Sequence, residues 1–135
     1  MASPIKATII LCDAAQADPS GKLHMLGAGW SVTGSPTGAA AVAVLLKIPW
    51  DLANTKLPFS LQLEDADGQP VILGGGAVDM RSEFEVGRPP GLDPGSPIDA
   101  SFQLSVQPMP LAPGRYQWRL QVGDDEFAES FQVRG

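Results

Sequence analysis

The only cysteine and the only histidine of the chain, Cys12 and His24, are the side chains best suited to nucleophilic catalysis. A thiolate nucleophile needs a base within hydrogen-bond reach, and two adjacent strands can supply such a pair. Cys12 ends an apolar run, however, and fits a small buried hydrophobe, while His24 occupies the polar position between Leu23 and Met25. We therefore expect no Cys–His catalytic pair, and these two ligands are too few for a zinc site of Cys and His.

Two groups of carboxylates are the candidates for a metal site. Asp65 and Asp67 lie in one turn and the acidic run 124–126 lies in another, and β-sandwich domains can bind calcium between such loops. An EF-hand loop is excluded because Gly68 comes too early and the terminal Glu is missing. Turn propensity already accounts for aspartate at these positions. We therefore expect no calcium, and no other metal or cofactor.

Glycine clusters are the remaining feature that is typical of cofactor sites. Gly27 and Gly29 lack the third glycine of a dinucleotide-binding loop, because Val32 stands there, and the following segment is a strand where the phosphate needs a helix N-terminus. The three glycines at 74–76 interrupt an apolar run and indicate a bulge or sheet crossing. A G-x-S-x-G nucleophile elbow is absent from the sequence. Together these motifs predict a protein that is not an enzyme.

The composition predicts a single β-rich domain over residues 1–135. The length is ordinary for one domain, and the 15 Gly and 13 Pro fall between apolar runs, where turns belong. A net charge of -6 and nine scattered Lys and Arg residues argue against nucleic acid as a partner. No apolar segment is long enough for a membrane span, and a lone cysteine requires no oxidising compartment. A cytoplasmic protein without a membrane partner is therefore expected.

Apolar and polar residues alternate with a period of two in five segments, and this period predicts strands with one wet face. Eight or nine short strands, with at most one helical turn after Pro49, predict an all-β fold in the form of a two-layer antiparallel β-sandwich. Closure into a barrel is the structural alternative. The predicted inward rows are Phe59, Leu61 and Leu63; Met80, Phe84 and Val86; Ile98, Phe102, Leu104 and Val106; Tyr116, Trp118, Leu120 and Val122; Phe127, Phe131 and Val133.

One predicted strand has no polar face. Residues 39–48 are apolar at both parities, and the flanking prolines together with the valines favour a strand over a helix. In one alternative this strand is central and covered on both faces. In the other, Ala41, Ala43 and Leu45 form an uncovered apolar face that meets a partner, because such patches usually mark interfaces.

The connection 87–95 is a second candidate surface. Its three prolines predict a stiff, partly polyproline-like loop. Arg88 belongs to this loop, and Trp30 or Trp50 is expected nearby. Tryptophan and arginine are enriched among the residues that anchor interfaces, so Trp50 and Arg88 are predicted interface residues, although a tryptophan in a sandwich is more often part of the core.

The segment that enters the last hairpin resembles the corner of immunoglobulin-like and fibronectin-like sandwiches. Leu111, Pro113, Gly114 and Tyr116 match this corner, with one residue fewer between the glycine and the tyrosine than the common fibronectin-type version has. The resemblance implies an immunoglobulin-like sandwich. It also implies a hydrogen bond from the Tyr116 hydroxyl back to the preceding turn.

The whole chain resembles a family of short, uncharacterised bacterial proteins, mostly actinobacterial, that is classed as a domain of unknown function. This family carries no catalytic residues, so the resemblance supports the fold and leaves the function open. We predict a non-catalytic interaction or structural module that binds a protein partner or associates with itself as a homodimer. The alternatives are a carrier of a small apolar ligand and a virion or assembly component. The matching stretches are Leu11-Cys12-Asp13-x-Ala15-Gln16, Lys22-Leu23-x-Met25-Leu26-Gly27-x-Gly29-Trp30, Gly87-Arg88-Pro89-Pro90-Gly91 and Pro113-Gly114-Arg115-Tyr116-x-Trp118.

Overall fold

Twelve β-strands and one 3-10 turn make up the regular structure of residues 4–135, the part of the chain that this computed structural model describes. Nine of the strands have four residues or more, and the single turn, Trp50–Leu52, follows Pro49 as the sequence predicts. The strands are β1 (Lys6–Cys12), β2 (Ala14–Ala17), β3 (Leu23–Leu26), β4 (Val32–Thr33), β5 (Ala40–Ile48), β6 (Leu57–Asp65), β7 (Ile72–Leu73), β8 (Gly76–Ala77), β9 (Asp79–Phe84), β10 (Ile98–Val106), β11 (Gly114–Val122) and β12 (Asp125–Val133).

Two sheets form the layers of the fold. The smaller sheet has the strand order β1-β5-β10, and the larger has the order β4-β12-β11-β6-β9. The pairings within these sheets are antiparallel, apart from the short parallel contact between β4 and β12. Each sheet ends in two edge strands, so the chain forms an open sandwich and not the closed barrel. The predicted all-β, two-layer architecture is confirmed.

The core lies between the inner rows of the two sheets. Trp118 and Phe131 from the larger sheet are 2% and 1% exposed, and Val44 and Ile48 from the smaller sheet are fully buried. These residues belong to one continuous apolar cluster. The period-of-two pattern therefore predicted correctly which side of β11 faces inward, because one wet face and one core face require that alternation.

The corner before β11 has the hydrogen bond that the resemblance implies. The Tyr116 hydroxyl donates to the Ala112 carbonyl oxygen at 2.7 Å. Leu111 is buried beneath the turn, Pro113 is exposed within it, and Gly114 begins the strand. The shorter spacing between glycine and tyrosine is thus compatible with the bond.

Strand β5 is central in the smaller sheet, with β1 on one side and β10 on the other. Its even-numbered residues from Val42 to Ile48 face the core. The odd-numbered residues face outward, where a hairpin of β2 and β3 crosses the sheet and contacts β5 and β10. The alternative of a central strand covered on both sides is therefore correct over most of its length.

Residues 22–33 do not form one continuous strand. Strand β3 ends at Leu26, and the chain passes through Gly27 (φ 63°) and Gly29 (φ 97°) to reach β4 in the other sheet. Backbone in this left-handed region favours glycine and cannot continue a strand. The amide of Gly29 donates to the Leu11 carbonyl at 2.7 Å, so the crossing segment also covers the end of the β1 edge.

The outer face of the larger sheet is less wet than the alternation predicts. Glu64 is only 6% exposed, and both Gln117 and Arg119 donate hydrogen bonds to its carboxylate. Residues 70–78, which include the short hairpin β7–β8, pair with the end of β6. The glycines at 74–76, interpreted from sequence as a bulge or crossing, instead form the turn and the first return residue of that hairpin.

Glu129 lies on the inward side of β12. Its register places it opposite Trp118, between the inward residues Phe127 and Phe131, yet its side chain is exposed. The exposure arises because the β12 edge pairs with β4 only at Gln132 and Val133. This side of the sandwich, between β1 and β12, is open over residues 127–129, where a groove of about 280 Å³ runs along the two strands.

Candidate functional site

Cys12 and His24 are held by different partners. Cys12 is fully buried, and its Sγ donates to the Ala41 carbonyl oxygen at 3.4 Å. Burial raises the pKa of the Cys12 thiol, and the neighbouring carboxylate of Asp13 raises it further. His24 is exposed and its Nε2 lies 2.9 Å from Asp18 Oδ2. A raised thiol pKa disfavours the thiolate that a nucleophile requires, so this geometry does not assemble a Cys–His pair.

Asp18 organises the turn between β2 and β3. Its Oδ1 accepts hydrogen bonds from the Ser20 hydroxyl at 2.6 Å, the Ser20 amide at 2.9 Å and the Lys22 amide at 3.0 Å. The Ser20 hydroxyl first, and then His24, hold the pKa of the Asp18 carboxyl well below its ordinary value. Donors aimed at a carboxylate favour its charged form. The turn that covers the smaller sheet is therefore fixed by side-chain chemistry.

The two carboxylate groups considered for calcium are occupied by structural roles. Asp65 Oδ1 accepts from the amides of Asp67 and Gln69 and closes its own turn. Asp125 Oδ2 accepts from the Ile5 amide at 3.1 Å and ties the start of the chain to β12. Within residues 4–135, no group of three or more His, Cys, Asp or Glu side chains is placed to hold a metal ion.

Ala41 and Ala43, predicted from sequence as interface residues, are 1% and 0% exposed. With Cys12 they form a small second core, on which Ala15, Leu23 and Met25 of the β2–β3 hairpin pack, together with Ile10. This corrects the predicted interface at these two positions, because the chain's own hairpin takes the place of a partner. Leu45, the third predicted residue, lies beyond the hairpin and is 38% exposed.

Trp50 and Arg88, the other predicted interface residues, are in contact with each other. The Arg88 guanidinium carbon lies 4.1 Å from the centroid of the Trp50 ring, and Nη2 donates to the Trp50 carbonyl oxygen at 3.1 Å. A cation over an indole face is attracted by the negative charge of that face. The contact fastens the connection 87–95 to the 3-10 turn. Trp30, in contrast, packs edge-on against Phe131 at a centroid distance of 5.6 Å and borders the core.

An open cleft of about 680 Å³ lies beside Trp50. Three prolines and the indole supply its apolar wall, and charged residues of the β1, β5 and β10 ends supply the rest. Proline and tryptophan are rigid and lose little conformational entropy when a ligand covers them. The apolar wall consists of Pro4, Pro49, Pro97 and Trp50, and the charged residues are Lys6, Lys47, Asp51 and Asp99.

A second cleft, of about 710 Å³, continues from the first along the smaller sheet. The two clefts share Lys6, Lys47 and Asp99, and the turn of the β2–β3 hairpin forms the far wall. Sequence reasoning missed these charged residues. The signal was present in Lys47, which has the same parity as Leu45 in a run that is otherwise apolar and so had to lie on an outer, wet surface.

The space between the two sheets is filled by side chains. Leu61, Leu63, Leu120 and Val44 are fully buried there, and the clefts described above open on the outer surface. This packing supports a binding surface over a carrier with an apolar pocket inside the sandwich. Among the described residues, no helix is long and apolar enough to cross a membrane.

Two solved structures resemble the chain over nearly its whole length. Both are of a beta-glucosidase from Listeria innocua, one in complex with glucose and the other with gluconolactone. The TM-scores are 0.41 and 0.40, the identity is 12% in each case, and 98% and 97% of this chain are covered. The chain spans only 16% of the length of either glucosidase chain. At these values nothing about the glucosidase site is carried over.

A comparison with curated proteins gave no match. A comparison with protein families matched residues 7–134 to one described as a family of unknown function, DUF6941. That match takes in every strand of both sheets, apart from the first residue of β1. A resemblance of the sequence to an uncharacterised family is thereby confirmed, and the chain belongs to the DUF6941 family.

Proposed function

We propose that this chain is a non-catalytic interaction module that binds another protein through the cleft beside Trp50. The observation that carries the proposal is that Trp50 lines an open cleft of about 680 Å³ while the exposed Arg88 stacks on its ring at 4.1 Å. Tryptophan and arginine supply much of the binding energy in protein interfaces when a partner covers them. Here both are available together on one surface.

The pair is arranged before a partner arrives. The hydrogen bond from Arg88 to the Trp50 carbonyl fixes the guanidinium, and Pro49 fixes the backbone where the 3-10 turn begins. Association loses affinity when side chains and loops must first become ordered. A surface whose anchors are already ordered avoids that cost, which supports a role in recognition.

A catalytic role receives no support from the reactive side chains. The thiol of Cys12 is buried and bonded to a backbone carbonyl, and His24 is engaged by Asp18. The lone thiol also agrees with a cytoplasmic location, which we propose for this module, because free cysteines persist in reducing compartments.

The partner that we propose is a different protein and not a second copy. Self-association was predicted from an uncovered apolar face on β5, and Ala41 and Ala43 of that face lie under the β2–β3 hairpin. Leu45 alone is a small remnant of the predicted face. A homodimer or a larger virion-type assembly through β5 therefore lacks the apolar area that a stable interface needs.

Quantitative affinity capture from the native host tests the proposal. The wild-type chain, a Trp50→Ala/Arg88→Ala variant and an Ile72→Ala/Arg134→Ala variant serve as baits, followed by mass spectrometry. Ile72 is 58% exposed and Arg134 is exposed, so the last variant removes one exposed apolar side chain and one exposed arginine that do not line the cleft. We expect a protein that is retained by the control but reduced at least about tenfold by the Trp50 variant.

A fold defect in the Trp50 variant is separated from lost binding by a second substitution. Arg88→Glu changes only an exposed side chain and leaves the indole in place, and thermal unfolding of each bait measures its stability. If a folded Arg88→Glu variant and the double variant both retain every partner of the wild type, the proposed function is wrong. Multi-angle light scattering of the wild-type chain that gives a dimer mass would contradict the proposed heterologous partner.

A further inference from the structure

Two lysines face each other on the outer surface of the smaller sheet. Lys6 of β1 is the direct cross-strand partner of Lys47 of β5, and both side chains are exposed. Like charges directly opposite each other destabilise an antiparallel pair. Asp99 of β10 flanks Lys47 on its other side and forms an ion pair with it. Lys6 thus keeps a charge that the surrounding sheet does not neutralise.

A third lysine lies near Lys6 and Lys47, and we call the cleft that these three residues line the lysine cleft. Lys22 ends the turn of the β2–β3 hairpin and lines the cleft of about 710 Å³ together with Lys6 and Lys47. The chain has four lysines and a net charge of -6, so this cleft gathers three of the four in an otherwise acidic protein. Within residues 4–135, neither Lys6 nor Lys22 takes part in an ion pair.

Between the lysines the floor of the cleft is apolar and neutral. Leu45 lies in the next cross-strand row, flanked by Thr8 on β1 and Ser101 on β10, and is 38% exposed. The Ser101 hydroxyl donates to the Gly21 carbonyl at 2.7 Å, which fixes the hairpin turn as a wall of the cleft. The wall that carries Lys22 therefore keeps its position relative to Leu45.

From this placement we infer that the cleft holds an acidic, extended polypeptide segment of the partner protein. Carboxylates of the segment neutralise Lys6 and Lys22, and an apolar side chain between them covers Leu45. Side chains on one face of an extended chain recur at every second residue, so two carboxylates four positions apart, with an apolar residue midway between them, face the cleft together. The segment continues into the cleft at Trp50, because Lys6, Lys47 and Asp99 border both clefts. The inference rests on the proposed function.

The charge balance favours a short acidic peptide over a nucleic acid or an anionic membrane. Two lysines without an ion pair match two carboxylates. A phosphate polymer needs a longer basic surface than three lysines interrupted by Asp99 and Glu85 supply. The overall charge of -6 also disfavours the approach of any large polyanion.

Fluorescence anisotropy tests the inference with a fluorescein-labelled peptide of sequence Ser-Glu-Ser-Leu-Ser-Glu-Ser, the Glu-Leu peptide. The neutral control is Ser-Gln-Ser-Leu-Ser-Gln-Ser, the Gln-Leu peptide. Lys6→Glu/Lys22→Glu is the variant, and Lys56→Glu, outside both clefts, controls for added negative charge. We expect the double variant to bind the Glu-Leu peptide at least about tenfold more weakly than wild type, and Lys56→Glu to remain within about twofold. The Glu-Leu peptide should also bind at least about tenfold better than the Gln-Leu peptide.

The melting temperature distinguishes a variant that has lost only the binding site from one that has lost the fold. Lys6→Glu places a carboxylate opposite Lys47 and replaces a repulsion with an attraction, so this substitution should leave the melting temperature unchanged or higher. Equal binding of the Glu-Leu peptide to wild type and to the folded double variant would overturn the inference. So would tighter binding of a labelled single-stranded oligonucleotide of equal length than of the Glu-Leu peptide.

Affinity capture with the same variants distinguishes this inference from the proposed function. A partner lost by Trp50→Ala/Arg88→Ala and also by Lys6→Glu/Lys22→Glu supports both. A partner lost only by the Trp50 variant keeps the proposed function and overturns the acidic segment. If both variants capture the same partners as the wild type, the proposed function is wrong. The peptide titration then tests by itself whether the lysine cleft binds an acidic segment.

Discussion

The backbone of Gly27 lies directly against the side chain of Asp13: a Cβ placed on Gly27 would be 2.1 Å from Asp13 Oδ2. The φ angle of 63° at Gly27 is also one that side chains of L-residues rarely adopt. Gly27→Ala should therefore lower the free energy of unfolding by at least about 1 kcal/mol, from the left-handed backbone alone, with the collision adding to it. Urea denaturation followed by tryptophan fluorescence measures the loss.

Two other glycines separate the causes of that loss. At Gly29 the φ angle is 97° and a Cβ would meet open space, whereas at Gly38 a Cβ would meet open space and φ is not positive. Gly29→Ala therefore tests the backbone conformation alone, and Gly38→Ala is the control for both causes. The expected order of destabilisation is Gly27, then Gly29, then Gly38, the last within about 0.5 kcal/mol of wild type. Equal effects at Gly27 and Gly38 would show that the crossing from β3 to β4 is not built as described.

Tyr116→Phe removes the hydroxyl that bonds to the Ala112 carbonyl and keeps the ring that stacks on Phe131 at 5.8 Å. The loss should be about 1 kcal/mol, the net contribution of one hydrogen bond. Thr55→Ala is the matched control, since its hydroxyl lies 3.4 Å from the Ala53 carbonyl and forms at best a weak bond. Thermal unfolding that gives the same melting temperature for Tyr116→Phe as for wild type would contradict a structural role for the corner.

The residues of the last hairpin that face the core could be predicted, because the alternation of inward and outward side chains is a local property of a strand. Trp118, Leu120 and Val122 bury one face of β11 in the structure, as the period of two requires. The corner at Tyr116 was predictable from a short motif for the same reason. In both cases the residues that decide the conformation lie within a few positions of one another along the chain.

The covering of β5 by the β2–β3 hairpin was not predictable in the same way. Ala41 and Ala43 are small and apolar whether a partner or the chain itself covers them, so the pattern leaves both alternatives open. Strand β2 is short and weakly apolar, with Gln16 opposite His24. Its existence depends on the Asp18 turn and on contact with β10, which is far away in the sequence.

The candidate site was predicted only in part. Trp50 and Arg88 were found from residue type, and their contact depends on a loop conformation that sequence alone does not define. The lysine cleft could not be predicted without the strand register, because Lys6 and Lys47 become neighbours only when β1 and β5 pair antiparallel in this register. A period-of-two pattern excludes register shifts of one residue, but it leaves open shifts of two residues and the choice of the partner strand.

Acid should weaken the turn that Asp18 organises. Hydrogen bonds from Ser20 and then His24 lower the folded-state pKa of Asp18 below its unfolded value. Its contribution to stability is therefore fully present above the ordinary carboxyl pKa and is lost as the pH falls through the lower folded value. The stability difference between wild type and Asp18→Asn should be largest near neutral pH and should shrink below about pH 4.

Urea denaturation of both proteins across this pH range measures the difference directly. Comparison with Asp18→Asn removes the contribution of the other carboxylates, which titrate in both proteins. The amide signal of Lys22, which bonds to Asp18 Oδ1 at 3.0 Å, reports the turn itself in NMR spectra. A difference between the proteins that grows as the pH falls would contradict the assigned role of Asp18.

Glu64 and Arg119 should show a measurable coupling energy. Arg119 Nε donates to Glu64 Oε1 at 3.0 Å, and Gln117 Nε2 donates to the same oxygen at 2.9 Å. The Glu64 side chain is 8% exposed, but that of Arg119 is 38% exposed, so water screens the pair in part. We expect Arg119→Met to cost about 1 kcal/mol because it leaves a buried carboxylate with one fewer donor.

A double-mutant cycle of Glu64→Gln and Arg119→Met isolates that coupling. The exposed pair Arg81–Asp79, at 3.2 Å, is the control, and its cycle should give about 0.5 kcal/mol or less. Chemical denaturation of the wild type and the six variants supplies both values. A coupling for Glu64–Arg119 no larger than that of the control would show that the burial of Glu64 adds nothing to the pair.

Glu129, exposed on the inward side of β12, bears on how the protein behaves at high concentration. A foreign strand that added to the open part of the β12 edge would have to seal this carboxylate against Phe127 and Phe131. Burying an unpaired charge is costly, and inward-pointing charges are a known protection of edge strands. Addition of a foreign strand at this open side of the sandwich is thereby disfavoured.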